Sequence, residues 1–157
     1  MTGSPSPDAP LSATLPGTWR LLSRIDTTVA GQRHADPALG SDPVALLIYD
    51  RAGHFSAQFM KRDRDATPGR ALPGGPAGAK NNTQAVGGYD AYFGTYSVDD
   101  ATGVVTQELL GALSPVHVGA RLSRAMTVRG DSLVIALETT AWDGTPVTRT
   151  LTWERVG

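Results

Sequence analysis

Residues 121–155 read RLSRAMTVRGDSLVIALETTAWDGTPVTRTLTWER, and this stretch decides the fold. Over most of it every second residue is apolar, the period of a strand with one buried face. Two turn clusters cut it, Arg129-Gly130-Asp131 and Trp142-Asp143-Gly144-Thr145. Turns this tight join antiparallel neighbours. The spacing predicts strands over about 121–129, 132–140 and 147–156. In the last, Val147, Arg149, Leu151, Trp153 and Arg155 share the inward face, while Thr148, Thr150, Thr152 and Glu154 face out. The same alternation turns Leu133, Ile135, Leu137 and Thr139 inward in the middle strand. It turns Leu122, Arg124, Met126 and Val128 inward in the one before.

Working outward, the pattern recurs over about 18–28, 44–50, 54–61, 92–99 and 104–112. Asp50-Arg51-Ala52-Gly53 and Asp99-Asp100-Ala101-Thr102-Gly103 are again tight connections. Eight sequential antiparallel strands predict an all-β fold, an up-and-down barrel. Eight strands leave an interior just wide enough for one small ligand. Val105, Gln107, Leu109 and Gly111 take the inward phase, as do Tyr92, Gly94, Tyr96 and Val98. In the first strand the phase puts Trp19, Leu21, Ser23 and Ile25 inside, with Arg20, Arg24 and Asp26 outside. Strands 44–50 and 54–61 carry apolar residues on both faces, which leaves their facing open. Closure brings the end of the last strand against the start of the first, and Arg155 is expected to stack on Trp19 as a plug of that end.

Two segments lack strand period. Residues 1–14 are Gly, Ser, Pro, Asp and Ala with little to bury, and read as a disordered tail before a domain over 15–157. Residues 62–90 begin with Arg62-Asp63-Arg64-Asp65, pass through TPGRALPGGPAGAK, and end in a possible short helix over about 81–91. A connection this long is expected as a flexible flap over one barrel end, between the third and fourth strands; a plain solvated insertion is the alternative.

The bulk numbers exclude several classes. A chain of 157 residues makes one domain. The formal net charge is −1, so no general field draws in nucleic acid or anionic lipid. There are no cysteines, which removes disulfides, thiolate nucleophiles and cysteine zinc sites. The polar, proline-rich start MTGSPSPDAP does not resemble a signal peptide, and no run approaches 18 apolar residues, so a cytoplasmic protein without membrane contact is expected. His34, His54 and His117 have no ligand-type spacing, and no metal is expected. No Gly-x-Ser-x-Gly elbow occurs, and His54 with Ser56 only share a strand face. Gly74-Gly75-Pro76-Ala77-Gly78-Ala79-Lys80 lacks the Gly-Lys-Ser/Thr ending of a phosphate loop. No cofactor is implied.

Five blocks taken together carry a resemblance. They are Gly17-Thr18-Trp19-Arg20-Leu21, Asp42-Pro43-Val44-Ala45-Leu46-Leu47-Ile48-Tyr49, Gly53-His54-Phe55-Ser56-Ala57-Gln58, Tyr89-Asp90-Ala91-Tyr92-Phe93-Gly94-Thr95-Tyr96-Ser97-Val98-Asp99, and Leu151-Thr152-Trp153-Glu154-Arg155. Their order and spacing over 15–157 resemble the bacterial and fungal lipocalin-like domain family of small stand-alone barrels. The resemblance implies a central cavity. Related barrels carry apolar ligands, and some act as isomerases or cyclases in specialised metabolism. Gln107 stands where a histidine is common in the family, and His117 where a tryptophan is common.

The residues themselves point to cavity chemistry. Arg124 and Arg149 face inward with no acid assigned to the same side. A buried arginine needs a carboxylate, a carbonyl cluster or an anionic ligand group, unless it reaches water at the rim. The first reading is therefore a binding barrel for a small, largely apolar molecule, anionic or polyketide-like, oriented by Gln58, Tyr92, Tyr96, Gln107, Arg124 and Arg149. A second reading is a cofactor-independent isomerase or cyclase in the same cavity, with His117, Tyr96 and Tyr92 as candidate catalytic groups. A third is a barrel filled by its own side chains that acts through a partner surface.

Overall fold

The computed structural model describes residues 9–64 and 85–157. Nine strands follow a short helix, α1 (Leu11–Thr14): β1 (Gly17–Thr28), β2 (Arg33–His34), β3 (Val44–Tyr49), β4 (His54–Met60), β5 (Tyr89–Asp99), β6 (Val104–Ala112), β7 (Arg121–Arg129), β8 (Ser132–Thr140) and β9 (Pro146–Arg155). A single 3-10 turn, Pro115–His117, lies between β6 and β7. Every pairing is antiparallel, in the order β1-β3-β4-β5-β6-β7-β8-β9, and β9 returns to β1. The eight long strands thus close a barrel in chain order. The two residues of β2 only extend the far end of β1 through Asp26↔His34 and Thr27↔Arg33.

Glycine marks the tight turns where the backbone needs a positive φ, as at Gly53 (φ 94) and Gly130 (φ 61). At Gly94 the reason is proximity: a Cβ there would lie 1.8 Å from the Glu108 carbonyl oxygen. The β5–β6 register shifts between Phe93 and Gly94, and the missing side chain lets the two backbones close at that point.

The barrel is closed where β1 starts and β9 ends. Trp19 lies opposite Arg155 in the register, and the Arg155 guanidinium carbon sits 4.3 Å from the Trp19 ring centroid. Arg155 also donates to the carbonyls of Pro16 and Thr14, and Trp19 Nε1 donates to the Leu15 carbonyl at 3.0 Å. These bonds tie the segment after α1 across the barrel end. Trp19 and Leu15 are fully buried there.

Four expectations need correction. Residues 11–14 do not belong to a disordered tail. They form α1, and Ser12 bonds through its backbone N–H and its hydroxyl to the Asp100 carboxylate. The expected helix over 81–91 is absent from its described part, where Val86 and Tyr89 bridge a turn and β5 has begun by Tyr89. Residues 81–84, and most of the expected flap, lie outside the described residues. In β1 a bulge between Leu21 and Ser23 reverses the phase. Leu22 is turned out, and Arg24 and Asp26 are turned in and buried. Finally, Ala45, Leu47 and Tyr49 of β3 and Phe55, Ala57 and Phe59 of β4 are the inward set, so Gln58 faces out.

Replacing Arg155 by Ala removes the stack on Trp19 and leaves two carbonyls without their charged donor. The expected loss is about 2–4 kcal/mol, read as a lower urea midpoint at unchanged slope.

Candidate functional site

Above the Trp19 plug the barrel contains a cavity to which all eight long strands contribute. Its apolar wall is Leu39, Leu47, Phe59, Met126, Ile135, Leu137, Leu151 and Trp153. Its polar wall is Arg24, Tyr49, Asp90, Tyr92, Gln107, Arg124 and Arg149. Water-sized molecules have about 40 Å³ in which to centre themselves, and the space is about 510 Å³ once the part open to solvent is included. One water needs roughly 10–15 Å³ on the smaller measure, so the enclosed part holds a few waters.

The buried charges are organised in a quartet. Arg149 donates from Nε and Nη2 to the two oxygens of Asp26, at 2.7 and 2.9 Å. The same Nη2 lies 3.3 Å from Asp36 Oδ2, and both terminal nitrogens of Arg24 reach that oxygen at 3.3 Å. All four side chains are nearly inaccessible. Burial, then repulsion from Arg149, pushes Arg24 down to about 10, which leaves it charged at neutral pH. Arg149, expected as a ligand-orienting group without an inward acid, is therefore neutralised from within. The β1 bulge supplied Asp26, and the loop before β3 supplied Asp36.

Arg124 is different. It is half-buried on β7, and its hydrogen bond runs from Nη1 to the neighbouring Ser123 carbonyl at 2.9 Å. Among the described residues no carboxylate pairs with it. Burial pulls it below the ordinary arginine value, and the Tyr92 and Tyr49 phenol oxygens act in the other direction. Tyr92 lies between Phe55 and Phe59, and burial pushes its hydroxyl up to about 12. It is a neutral donor at any working pH, within electrostatic reach of both Asp90 and Arg124. Gln107 is buried and donates from Nε2 to the Tyr49 hydroxyl at 2.7 Å. Trp153 Nε1 is buried and has no hydrogen-bond partner among the described residues.

Tyr92, Gln107, Arg124 and Arg149 thus reach one cavity; the other candidates do not. The Tyr96 hydroxyl donates to the Asp50 carbonyl, away from the cavity wall. Gln58 is exposed and accepts from the Tyr89 hydroxyl at 3.2 Å. His117 ends the 3-10 turn outside the wall, close enough to Asp90 to favour the carboxylate. The residues that sequence reasoning missed are Arg24, Asp26, Asp36, Tyr49 and Asp90. Asp90 had a signal: the period that places Tyr92 inside places Asp90 inside as well, once the strand is extended two residues back.

Asp90 is 3% exposed, and burial raises it above the ordinary carboxyl value despite His117 and Arg24. Between the unfolded and folded values the folded protein holds more protons, so this group adds stability as pH falls through that window. At pH 7 the cost of burying its charge is fully expressed. Asp90→Asn is therefore expected to melt above the wild type at pH 7, and the difference to vanish below about pH 3.8, the ordinary value. Thermal unfolding followed from pH 3 to 8 checks this.

The pattern described as a lipocalin-like domain matches residues 16–156. No curated protein matches the chain. The match spans the whole barrel, from the residue before β1 to the residue after β9. The chain belongs to the lipocalin-like domain family.

Proposed function

We propose that this barrel binds a small, largely apolar molecule carrying one anionic group, a carboxylate, enolate or phenolate. The observation that carries this reading is Arg124, a cation on the cavity wall with no carboxylate partner among the described residues. A guanidinium partly withdrawn from water regains from a ligand anion some of the hydration it lost. Trp153 Nε1 supports the same reading, since a buried donor with no acceptor among the described residues suits a ligand oxygen. Tyr92 and Gln107 orient the polar end, and Leu47, Met126, Ile135 and Leu151 receive the apolar part. Polyketide-like acids fit this description.

The alternative reading, an isomerase or cyclase without cofactor, is favoured by one observation. Asp90 is a buried carboxyl on the wall, held toward its neutral form beside the Tyr92 hydroxyl. A carboxyl so placed can exchange a proton with a bound substrate. In that reading Asp90 and Tyr92 take the roles first expected of His117 and Tyr96.

Hexanoate and hexanamide have the same shape and differ in charge. Calorimetric titration is expected to show hexanoate binding at least tenfold more tightly. Arg124→Met should remove that preference and leave hexanamide unaffected. Equal affinities in the wild type would overturn the anionic reading.

A further inference from the structure

The enclosed part of the cavity has room for only a few waters. Small-molecule sites usually offer roughly 300–1,000 Å³. Here the loop between β2 and β3 reaches the cavity from the end opposite Trp19. Asp36 and Leu39 are 5% and 1% exposed, and Leu39 is part of the cavity wall. The loop is a compact turn built on Asp36. Its Oδ1 accepts from the Ala38 N–H at 3.1 Å, and its carbonyl accepts from Leu39 and Gly40 at 3.2 and 2.8 Å. Its Oδ2 is the atom that Arg24 and Arg149 share.

The two acids of the quartet are not equivalent. Asp26 lies directly opposite Arg149 in the β1–β9 register and is bound in a two-pronged pair at 2.7 and 2.9 Å. Asp36 comes from a loop, and each of its arginine contacts is 3.3 Å. Charge-assisted bonds are ordinarily about 2.7–2.9 Å. Asp26 has the geometry of a fixed counter-ion, and Asp36 that of a loosely held one.

We propose that Arg24 and Arg149 form a second anion subsite, occupied in the closed protein by Asp36, and that a ligand carboxylate takes this place when the Asp36–Gly40 turn withdraws. Departure of Asp36 carries Leu39 out of the cavity, so the same movement vacates the place beside the two arginines and enlarges the room. The site then takes acids whose carboxylate reaches the quartet and whose apolar part lies where Leu39 lay. This inference rests on the anionic-ligand reading. It adds to the Arg124 site a second place, at Arg24 and Arg149, where a ligand carboxylate can bind.

The test is replacement of the internal carboxylate by a free one. Asp36→Ala is expected to melt well below the wild type. Acetate should raise its melting temperature saturably, by roughly 3 °C or more, beyond its effect on the wild type. Acetamide, and chloride at equal ionic strength, should not. If Asp36→Ala is unfolded, acetate should restore its far-ultraviolet circular dichroism. A response no greater than that to acetamide overturns the proposal, whether the variant is folded or not. In the wild type, saturating hexanoate should speed amide exchange at Ala38 at least tenfold, because the withdrawn turn is open to water. Binding with unchanged Ala38 exchange also overturns the proposal. Acetate rescue in a protein whose wild type binds no hexanoate would instead overturn the anionic-ligand reading and leave the subsite standing.

Discussion

The pair between Arg149 and Asp26 is the constraint around which the barrel is arranged. It spans the β1–β9 seam, the one closure that connects the first strand to the last. An arginine at an inward position of β9 must meet an acid, because breaking a buried pair costs about 3–5 kcal/mol. Strict alternation along β1 would point Asp26 at solvent. The bulge after Leu21 turns it inward, and with it Arg24. Arg24 brings a second buried charge, and Asp36 answers it from the following loop. One extra residue in one strand thus turns Arg24 and Asp26 inward, where they meet Asp36 and Arg149.

The cavity follows from where those charges stop. On the β1–β9 side the arginines are neutralised by acids of the chain. Across the interior, Arg124, Tyr92 and Gln107 present a cation and polar groups between apolar walls. The far end is sealed by Trp19 and Arg155. The Asp36 loop and the 3-10 turn of His117 lie at the opposite end. The polar groups a molecule meets inside are a carboxyl, a phenol, an amide and guanidinium groups, and the walls between them are aliphatic and aromatic.

Most of the architecture was legible in the sequence because eight segments keep a period of two and most are separated by short turns. The phases of β5 and of β7 to β9 follow from alternation alone, whereas that of β6 holds only to Leu109, because the register shift there sets Gly111 against the outward Phe93 instead of inside. Trp19 meets Arg155 because closure leaves no other pairing for the two end strands. The phase of β1 was not legible by counting. A bulge is a backbone event, and its only trace is the adjacent pair Leu21-Leu22, which breaks the alternation. In β3 the outward Val44, Leu46 and Ile48 are as apolar as the inward set, so hydrophobicity could not choose a face there. Missing the β1 bulge had a chemical consequence. Arg149 looked like an orphan waiting for a ligand, whereas its partner was already in the chain. The same argument survives for Arg124, whose strand keeps its period. Asp36 was beyond reach of pattern reading, because a loop acid acquires its role only from the three-dimensional path of the loop.

The central claim is that a small apolar acid binds inside the barrel with its charge against an interior arginine. Titration of hexanoate into isotopically labelled protein, following arginine Nε–Hε and methyl resonances together, addresses this directly. The account predicts saturable shifts of Arg124 or of the Arg24–Arg149 pair, moving in step with the methyl groups of Leu47, Met126 and Ile135. Shifts confined to exposed arginines such as Arg20, Arg62 and Arg121, with the interior methyl groups unmoved, would contradict it.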